Sequence, residues 1–408
     1  MSRWWHKGDN LEYCKLKDIA TIYNGNSINK TVKKQKYMQK VPGWNYISTK
    51  DVDFDGTVQY ENGVIIPYAE TKFRVAPAGS VFVCSEGGSA GRKTAIITED
   101  VCFGNKLFAI VNDRDRYVGK YLYYFTRYSG FTKQFKLLAT SLMGGISAKN
   151  FGAIEVPLPS LEEQDKIIRQ IEELFSELDK GVETLQTIKG QLAVYQQTVL
   201  KNIFENIVDT TRLDTVAFMI DPQPSHRTPP EAVDGISYIG IGDIDYAANR
   251  IDFASSRKVS PDVLKEHLLR YTLHDGDFVM GKIGTIGNPF RVVLPQDYAL
   301  SANVILIQPN KQVIDPNYLF WQFSSPYITE QLSKGSVATS QPAFGIKKAR
   351  ALSIRICPME SQAKIVEEIE SRLSVCDSIE KTVDTALAQA EAMRQSILKK
   401  AFEGELCK

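Results

Sequence analysis

The chain repeats two helical motifs at a fixed separation of 198 residues. The segment Gln164–Glu172 reappears as Gln362–Glu370, and the segment Gln197–Glu205 reappears as Gln395–Glu403. Two copies are too few for a solenoid, which needs at least about three repeats to bury a continuous core. The duplication instead predicts a molecule with two similar halves and pseudo-two-fold symmetry.

Weaker repeats precede each pair of helical motifs. Tyr46 and Asp51 parallel Tyr238 and Asp243. Further matches are Gly88-Ser89-Ala90-Gly91 with Gly284-Thr285-Ile286-Gly287, and Ala139-Thr140-Ser141 with Ala338-Thr339-Ser340. The chain of 408 residues is therefore divided into a first globular domain (1–159), a central helix (160–206), a second globular domain (207–355) and a C-terminal helix (356–408).

Both helical segments carry apolar residues on alternating three- and four-residue steps, the spacing of a coiled-coil seam. Each helix of about 40 residues would be ~60 Å long and cannot bury its seam alone. We expect the two helices to pack against each other, antiparallel; the alternative is two separate amphipathic helices, each on its own domain. Ser160 and Glu163 predict a capping box at the first helix start. The predicted seam comprises Ile171, Phe175, Leu178, Val182, Leu185, Leu192 and Val199, and Ile369, Leu373, Cys376, Val383, Leu387 and Ile397.

The two globular domains have the pattern of a mixed fold. Short apolar runs bounded by turn residues, such as Ser80–Val83 and Asp277–Met280, are typical of strands. One aromatic-rich helix is expected in each domain, at Tyr117–Phe135 and at Tyr318–Lys334. The fold class is therefore α+β: two similar α+β domains separated by two long antiparallel helices.

The net charge of +1 conceals an uneven distribution. Residues 1–159 hold 22 Lys and Arg against 14 Asp and Glu, and so carry +8, whereas residues 207–355 are neutral. The helical segments 160–206 and 356–408 carry −4 and −3. Phosphate binding needs cations concentrated on one surface, so the first domain is a candidate for nucleic acid. The lysines between Lys30 and Lys40 are expected in a loop, where the alternative is a solvated charged loop without a ligand.

The sequence carries no strong catalytic or metal-binding motif. The six cysteines form no C-x-x-C pair and the four histidines form no H-E-x-x-H, so no metal site is expected. Glu70-Thr71-Lys72, with Asp53 and Asp55, has the spacing of a metal-dependent nuclease, a motif common by chance. A non-catalytic binding protein is favoured, and without a long apolar run or secretory signal we expect a cytoplasmic location and no membrane span.

The arrangement and motifs together resemble the specificity subunit of type I restriction-modification systems. Each long helix begins with a proline and, shortly after, a glutamine, at Pro159–Gln164 and Pro358–Gln362. The helices end with similar segments, Leu200–Asn206 and Leu398–Gly404. The resemblance covers nearly all of the chain, and its motifs are specific in combination rather than singly.

The resemblance implies that each domain is a target recognition domain that reads one half of a bipartite double-stranded DNA sequence. The helices would set the gap between the halves and dock two methyltransferase subunits, which use S-adenosylmethionine to methylate adenine N6. Motor-nuclease subunits, which use ATP and Mg, would complete a complex that cleaves DNA. Catalysis and cofactors would then belong to partner chains.

Residue type and nearness to turns select candidate DNA contacts, since phosphate contacts position a domain and base contacts specify the sequence. In the first domain we expect Lys33, Lys34, Arg92, Lys93 and Lys149 at phosphates, with Asn24 and Asn26 at bases. In the second we expect Arg227, Lys282, Arg291, Lys347 and Lys348 at phosphates, with Asn288 and Gln341 at bases.

Two alternatives share these features. One is that the same architecture serves another restriction class, in which the partner is a fused methyltransferase-nuclease, and the sequence does not separate this from the type I interpretation. The other alternative is a coiled-coil scaffold without a DNA role, which predicts no salt-dependent affinity for DNA.

Overall fold

A computed structural model describes residues 13–39, 41–113, 115–139, 145–335 and 343–406. The chain divides into two compact units. The first unit comprises Met1–Leu185 and Thr385–Lys408, and the second comprises Gln186–Asp384. The division falls within both long helices, so each unit contains one globular domain together with a part of each helix.

The first domain alternates short strands and helices. Its strands are β1 (Tyr13–Lys15), β2 (Thr21–Asn24), β3 (Gly43–Ile47), β4 (Ile65–Pro67), β5 (Val75–Ala76), β6 (Val81–Cys84), β7 (Thr94–Ile96), β8 (Val101–Phe103), β9 (Leu107–Val111) and β10 (Glu155–Pro157). Its helices are α1 (Leu16–Ile19), α2 (Lys30–Lys36), α3 (Gly119–Arg127), α4 (Ser129–Leu138) and α5 (Ala148–Phe151), and α6 (Leu161–Glu205) follows as the first long helix.

The second domain repeats this plan with a different set of elements between its third and seventh strands. Its strands are β11 (Thr210–Arg212), β12 (Ala217–Ile220), β13 (Glu231–Ile239), β14 (Ile244–Asp245), β15 (Arg250–Ile251), β16 (Lys258–Val259), β17 (Phe278–Gly281), β18 (Gly287–Arg291), β19 (Tyr298–Leu300), β20 (Val304–Pro309) and β21 (Ser353–Arg355). Its helices are α7 (Leu213–Val216), a 3-10 helix (Ile241–Asp243), α8 (Pro261–Leu268), α9 (Pro316–Phe323), α10 (Pro326–Gly335), α11 (Ile346–Arg350) and the long α12 (Met359–Phe402).

The sheets of the two domains have matching topology. One four-stranded antiparallel sheet has the order β2-β9-β6-β7 in the first domain and β12-β20-β17-β18 in the second. A second sheet contains a parallel pair in each domain, β3 with β8 and β13 with β19. The first and last strands also pair, β1 with β10 and β11 with β21. The α+β class and the internal duplication predicted from the sequence are confirmed.

The central sheet of each domain is buried on both faces. In β6, Val81 and Val83 pack toward the helices, whereas Phe82 and Cys84 pack toward the second sheet. Successive side chains of a strand point to opposite faces, so a strand between two layers is apolar at every position. This arrangement explains the continuous apolar runs of the sequence and places the β6–β7 hairpin at the end of a rigid core.

The expected single aromatic-rich helix is wrong in both domains, because each segment forms two helices. In the first domain the break is at Tyr128, whose φ of −73° and ψ of 138° are extended. In the second domain the break precedes Pro326, which lacks the N–H needed to continue α9. Both pairs still bury their aromatic side chains, and Phe125 and Phe323 are 0% and 2% exposed.

The glutamine at the start of each long helix fastens that helix to the preceding domain. The Gln164 side chain accepts from the Val118 N–H at 2.9 Å and donates to the Pro159 carbonyl at 2.9 Å. Gln362 accepts from the Asp315 N–H at 2.8 Å and donates to the Cys357 carbonyl at 2.7 Å. Both glutamines are fully buried. Their side-chain amides are paired with backbone groups, as buried polar groups generally are, and these hydrogen bonds join each helix to its domain.

The phenylalanine at the end of each long helix enters a domain core. In the second unit, Phe204 packs in one cluster with Ile369 of α12. In the first unit, Phe402 packs with Ile171 of α6 and with the aromatic rings of Tyr121 and Phe125. The end of one helix therefore lies beside the start of the other within each unit.

Ion pairs show that the helices run antiparallel inside each unit. In the first unit, Ile171 of α6 lies in the same core as Phe402 of α12. Eight residues further along α6, Asp179 pairs with Arg394, which precedes Phe402 by eight residues on α12. In the second unit, Lys189 pairs with Asp384 at 2.7 Å. All thirteen predicted seam residues are buried or half-buried. The predicted capping box is present, with the Glu163 N–H donating to Ser160 Oγ at 3.3 Å.

Candidate nucleic-acid interface

The hairpin β6–β7 and its counterpart β17–β18 carry the repeated glycine turns. Gly91 and Gly287 have φ of +66° and +83°, a region that favours glycine. A Cβ at Gly91 would lie 2.8 Å from the ring of Phe135, and a Cβ at Gly287 would lie 3.0 Å from Leu332. The glycines thus allow α4 and α10 to pack closely against the turns, which fixes the direction in which each hairpin projects.

In the first unit an exposed aromatic ring organises the cations of this hairpin. Phe54 is 51% exposed, and the Arg92 guanidinium lies 5.0 Å from its ring centroid. Lys93 Nζ lies 5.1 Å from the same centroid and donates to the Thr49 carbonyl at 3.1 Å. Among the described residues neither cation has a carboxylate within ion-pair distance. Two positive charges are therefore held together without local neutralisation.

In the second unit the turn of the equivalent hairpin, residues 283–290, carries no charged side chain. Tyr246, 38% exposed, donates from its hydroxyl to the Asn288 carbonyl at 2.8 Å. Its ring also packs edge-to-face on Phe290, with centroids 5.8 Å apart. Asn288 is exposed and has a φ of +50°. The hairpin presents an amide where the first unit presents a guanidinium.

Most of the lysine-rich segment of the first domain forms the helix α2 (Lys30–Lys36), so the expected loop is wrong there; Lys40 lies outside the described residues. Asn29 caps α2 by accepting from the Thr31 N–H at 2.9 Å, which allows the following lysines to form helical turns. Lys34 is exposed, and Lys33 Nζ lies 5.9 Å from the ring centroid of Tyr46. Lys36 pairs with a carboxylate, Glu70, and is thereby partly neutralised.

Other predicted contacts of the first domain have mixed environments. The Asn26 side chain accepts from the Arg74 N–H at 2.8 Å and donates to the Lys72 carbonyl at 3.3 Å, so both ends of its amide bind backbone. The Asn24 amide donates to the Asn105 carbonyl at 3.2 Å. Lys149 is exposed on α5 and remains a candidate for phosphate contact.

Two predicted cations of the second domain, one buried and one half-buried, are bound by other side chains of the chain. Lys282 is only 5% exposed, and its Nζ lies 2.6 Å from the Asp221 carboxylate. The geometry assigns Lys282 to a buried ion pair and corrects the expected phosphate contact. Arg291 donates to Asn317, and its guanidinium lies 4.0 Å from the centroid of the Phe320 ring. Burial lowers the pKa of the Arg291 guanidinium.

The remaining predicted residues of the second domain are exposed or undescribed. Arg227 and Lys347 are exposed. Lys348 is exposed and donates from Nζ to the Gly335 carbonyl at 2.7 Å. Gln341 lies outside the described residues.

Phe54 and Tyr246 were not predicted from the sequence. The available signal was the duplication, because these residues follow Asp51 and Asp243 by the same three positions. Asp51 accepts from the Ser48 N–H and Asp243 from the Gly240 N–H, each at 2.8 Å. The two aspartates thus stabilise equivalent turns, and these turns position the two aromatic side chains beside their hairpins.

The described residues hold no group of three His, Cys, Asp or Glu side chains arranged for a metal ion. The Glu70 carboxylate of the E-x-K segment pairs with Lys36 and with Lys72, the latter at 3.3 Å. No helix in the described ranges has an apolar stretch long enough to span a membrane.

A shallow apolar groove lies on α6 in the second unit. Val194 and Tyr195 are 67% and 49% exposed there. A Cβ at Gly190 would meet no atom of the described residues within 4 Å, so this glycine leaves space on the helix surface. The groove has a volume of about 480 Å³ and is lined by Thr187, Gly190, Gln191, Val194, Tyr195 and Thr198.

Known proteins share both the sequence pattern and the fold. The family model described as the type I restriction modification DNA specificity domain matches residues 8–189 and 233–389. The EcoBI specificity subunit of Escherichia coli is 24% identical over 421 residues, covering 96% of this chain and 85% of the relative. The EcoKI specificity subunit of Escherichia coli K12 is 24% identical over 306 residues, covering 70% and 65%.

A solved chain from a study of assembly and conformational transition in a type I restriction-modification system has the same fold. Its TM-score is 0.70 at 16% identity, and the match covers 97% of this chain and all of that one. The family model matches each half of the duplication separately and most of the chain in total. The chain therefore belongs to the family of type I restriction-modification DNA specificity proteins.

Proposed function

We propose that this chain is the sequence-specific DNA-binding subunit of a type I restriction-modification complex. Each domain reads one half of a bipartite duplex sequence, and the two long helices set the gap between the halves. The observation that carries the proposal is the duplicated fold, in which equivalent domains are fastened to both helices by equivalent glutamine and phenylalanine contacts.

The surface cations of the first unit, which are exposed or half-buried, support binding to the DNA backbone. Arg92 and Lys93 are free of carboxylate partners among the described residues, and Lys34 and Lys149 are exposed. Neutralising a phosphate with such a cation releases condensed counterions, which makes affinity fall steeply with salt. Binding that does not respond to salt would instead support the scaffold alternative.

The antiparallel helices support the role of a spacer. Their seam residues are buried or half-buried, and the ends of both helices are anchored in domain cores, so a helix cannot change length without moving its anchors. A helix rises ~1.5 Å per residue along its axis. The number of residues between the anchors therefore determines how far apart two DNA-reading surfaces are held.

The groove on α6 supports docking of a protein partner. Exposed apolar residues around a glycine allow close approach of another apolar surface, and the net negative charge of the helices disfavours contact with DNA. We propose that methyltransferase subunits dock on the helices. The complex would obtain S-adenosylmethionine chemistry from these subunits, and ATP- and Mg-dependent cleavage from motor-nuclease subunits.

The experiment is to produce the chain with the methyltransferase encoded beside it and to map methylated adenines across the host genome. The proposal predicts one bipartite motif with a fixed gap. The chain purified alone should bind duplex DNA with an affinity that falls as salt rises, without methylating or cutting it. Methyl transfer or cleavage by the chain alone would contradict the proposal.

A further inference from the structure

In each unit an aromatic side chain contacts the residue that directly follows the last glycine of the hairpin turn. In the first unit Phe54 contacts Arg92, which follows Gly91. In the second unit Tyr246 contacts Asn288, which follows Gly287. The contact is present in both units, but its chemistry differs. It is a cation–π contact in the first unit and a hydrogen bond from a hydroxyl to a backbone carbonyl in the second.

The first contact holds charge in place. A guanidinium or ammonium over an aromatic face is stabilised by the ring quadrupole while its N–H groups remain available. Arg92 and Lys93 approach the same ring at 5.0 and 5.1 Å, and the second cation is also tethered to Thr49. The ring therefore restricts two long side chains that would otherwise lose conformational entropy on meeting DNA.

The second contact holds a backbone conformation in place. The left-handed conformation of Asn288 is uncommon for a residue other than glycine, although asparagine adopts it more readily than most. The hydrogen bond from Tyr246 fixes the carbonyl of this residue. Its amide forms no hydrogen bond with another part of the chain that the structure describes. The result is an oriented, solvent-facing amide on a rigid turn.

We propose that Phe54 and Tyr246 are positioning residues with different tasks in DNA reading. Phe54 holds Arg92 and Lys93 for contact with phosphates, and Tyr246 holds Asn288 for contact with the edge of an adenine in the major groove. An asparagine amide matches the donor and acceptor that adenine presents there. This inference rests on the proposed function and adds a division of labour between the two domains.

The division has a measurable signature. Phosphate contacts affect all sequences alike and contribute to the dependence of affinity on salt, whereas a base contact affects one position of one half-site. The uncharged turn that carries Asn288 in the second unit should therefore contribute specificity with little salt dependence.

The test uses the full chain in complex with its methyltransferase subunits and a pool of randomised DNA duplexes. Selection from the pool with the unaltered protein gives the motif, and binding to the selected duplex is then measured across salt concentrations. The variants are Phe54→Ala, Phe54→Trp, Tyr246→Phe and Asn288→Gly, of which the last preserves the positive φ. Tyr68→Ala and Phe218→Ala are matched controls, because these aromatic side chains are 57% and 67% exposed in the first and second units.

Phe54→Ala should weaken binding to all sequences several-fold and lower the slope of log affinity against log salt by about one to two. Phe54→Trp should keep both the affinity and the salt slope of the unaltered protein, because tryptophan also offers an aromatic face to the cations. Tyr246→Phe should reduce discrimination at one position of one half-site, by up to about tenfold, and leave the salt slope unchanged. Asn288→Gly should do the same, and combining it with Tyr246→Phe should add little, since both remove one contact.

The inference is overturned if Phe54→Ala matches Tyr68→Ala, or if Tyr246→Phe leaves every base preference intact as Phe218→Ala does. In either case the unaltered protein still selects a bipartite motif, and the proposed function stands. If the unaltered protein selects no motif, the proposed function fails and the inference fails with it.

Discussion

Phe204 packs edge-to-face on Tyr318, with ring centroids 5.5 Å apart, and both side chains are fully buried. This contact joins the end of α6 to the first helix after the central sheet of the second domain. Phe402 makes the equivalent contacts in the first unit, with Tyr121 at 5.2 Å. The repeated segments at the helix ends are therefore anchors in the domain cores rather than parts of the helix seam alone.

Removing an anchor should destabilise the unit that contains it. Phe204→Ala deletes a fully buried ring and should cost about 3–5 kcal/mol in the second unit, because it combines lost burial with a cavity. Phe402→Ala should do the same in the first unit. Denaturant unfolding measures the loss, and Phe218→Ala, at an exposed position, is the control. A loss for Phe204→Ala no larger than for this control would show that the ring is not an anchor.

The stability of the second unit should depend on pH through His267. This fully buried side chain bonds to the Tyr271 hydroxyl at 2.9 Å and to Gln223 Oε1 at 2.8 Å. Burial, together with the charge of Arg270, lowers the pKa of His267 to about 4. In the unfolded chain a histidine takes up a proton near pH 6.5, whereas the folded chain resists protonation until about pH 4.

The contribution of His267 is therefore complete above about pH 6.5 and is lost as the pH falls toward 4. The total should be about 3 kcal/mol, since each unit of pKa difference is worth ~1.4 kcal/mol. Urea unfolding of the protein and of His267→Gln at several pH values isolates this contribution as their difference. A difference that stays constant between pH 7 and pH 4 would refute the assignment. His274→Gln is a matched control, because this side chain is 62% exposed.

Introducing a charge into the groove on α6 should prevent assembly without unfolding the protein. Val194→Lys places an ammonium group among apolar atoms that a partner would cover, at a position already 67% exposed. Co-purification with the methyltransferase should be lost, while the unfolding midpoint stays near that of the unaltered protein. Ala193→Lys, exposed on the same helix but outside the groove, should assemble normally. Normal assembly of Val194→Lys would exclude the groove as the docking face.

The sequence predicted the larger organisation because duplication and heptad spacing are regular signals. The thirteen seam residues are all buried or half-buried, and Ser160 caps its helix as expected. The roles of Gln164 and Phe204 within their motifs were not predictable, because each depends on partners that come from another part of the chain. Their burial becomes evident only when the domain that receives them is known.

The candidate DNA contacts were less predictable, because the residue type of a lysine or asparagine does not show whether its side chain is buried or exposed. Lys282 lies next to a glycine-rich turn, as a phosphate-binding residue would, but Asp221 draws it into the interior. Phe54 appears in the sequence as one aromatic residue among many. Only the fold brings it to Arg92, which lies 38 positions further along the sequence.

The most direct test of the account is to lengthen the spacer and map the resulting methylation. Inserting one heptad near the middle of α6 and a matching heptad in α12 preserves the seam and adds ~10 Å between the anchors at ~1.5 Å per residue. Genome-wide mapping of methylated adenines should then show both half-sites unchanged and a longer gap between them. An active variant that methylates sites with the original gap would contradict the spacer role.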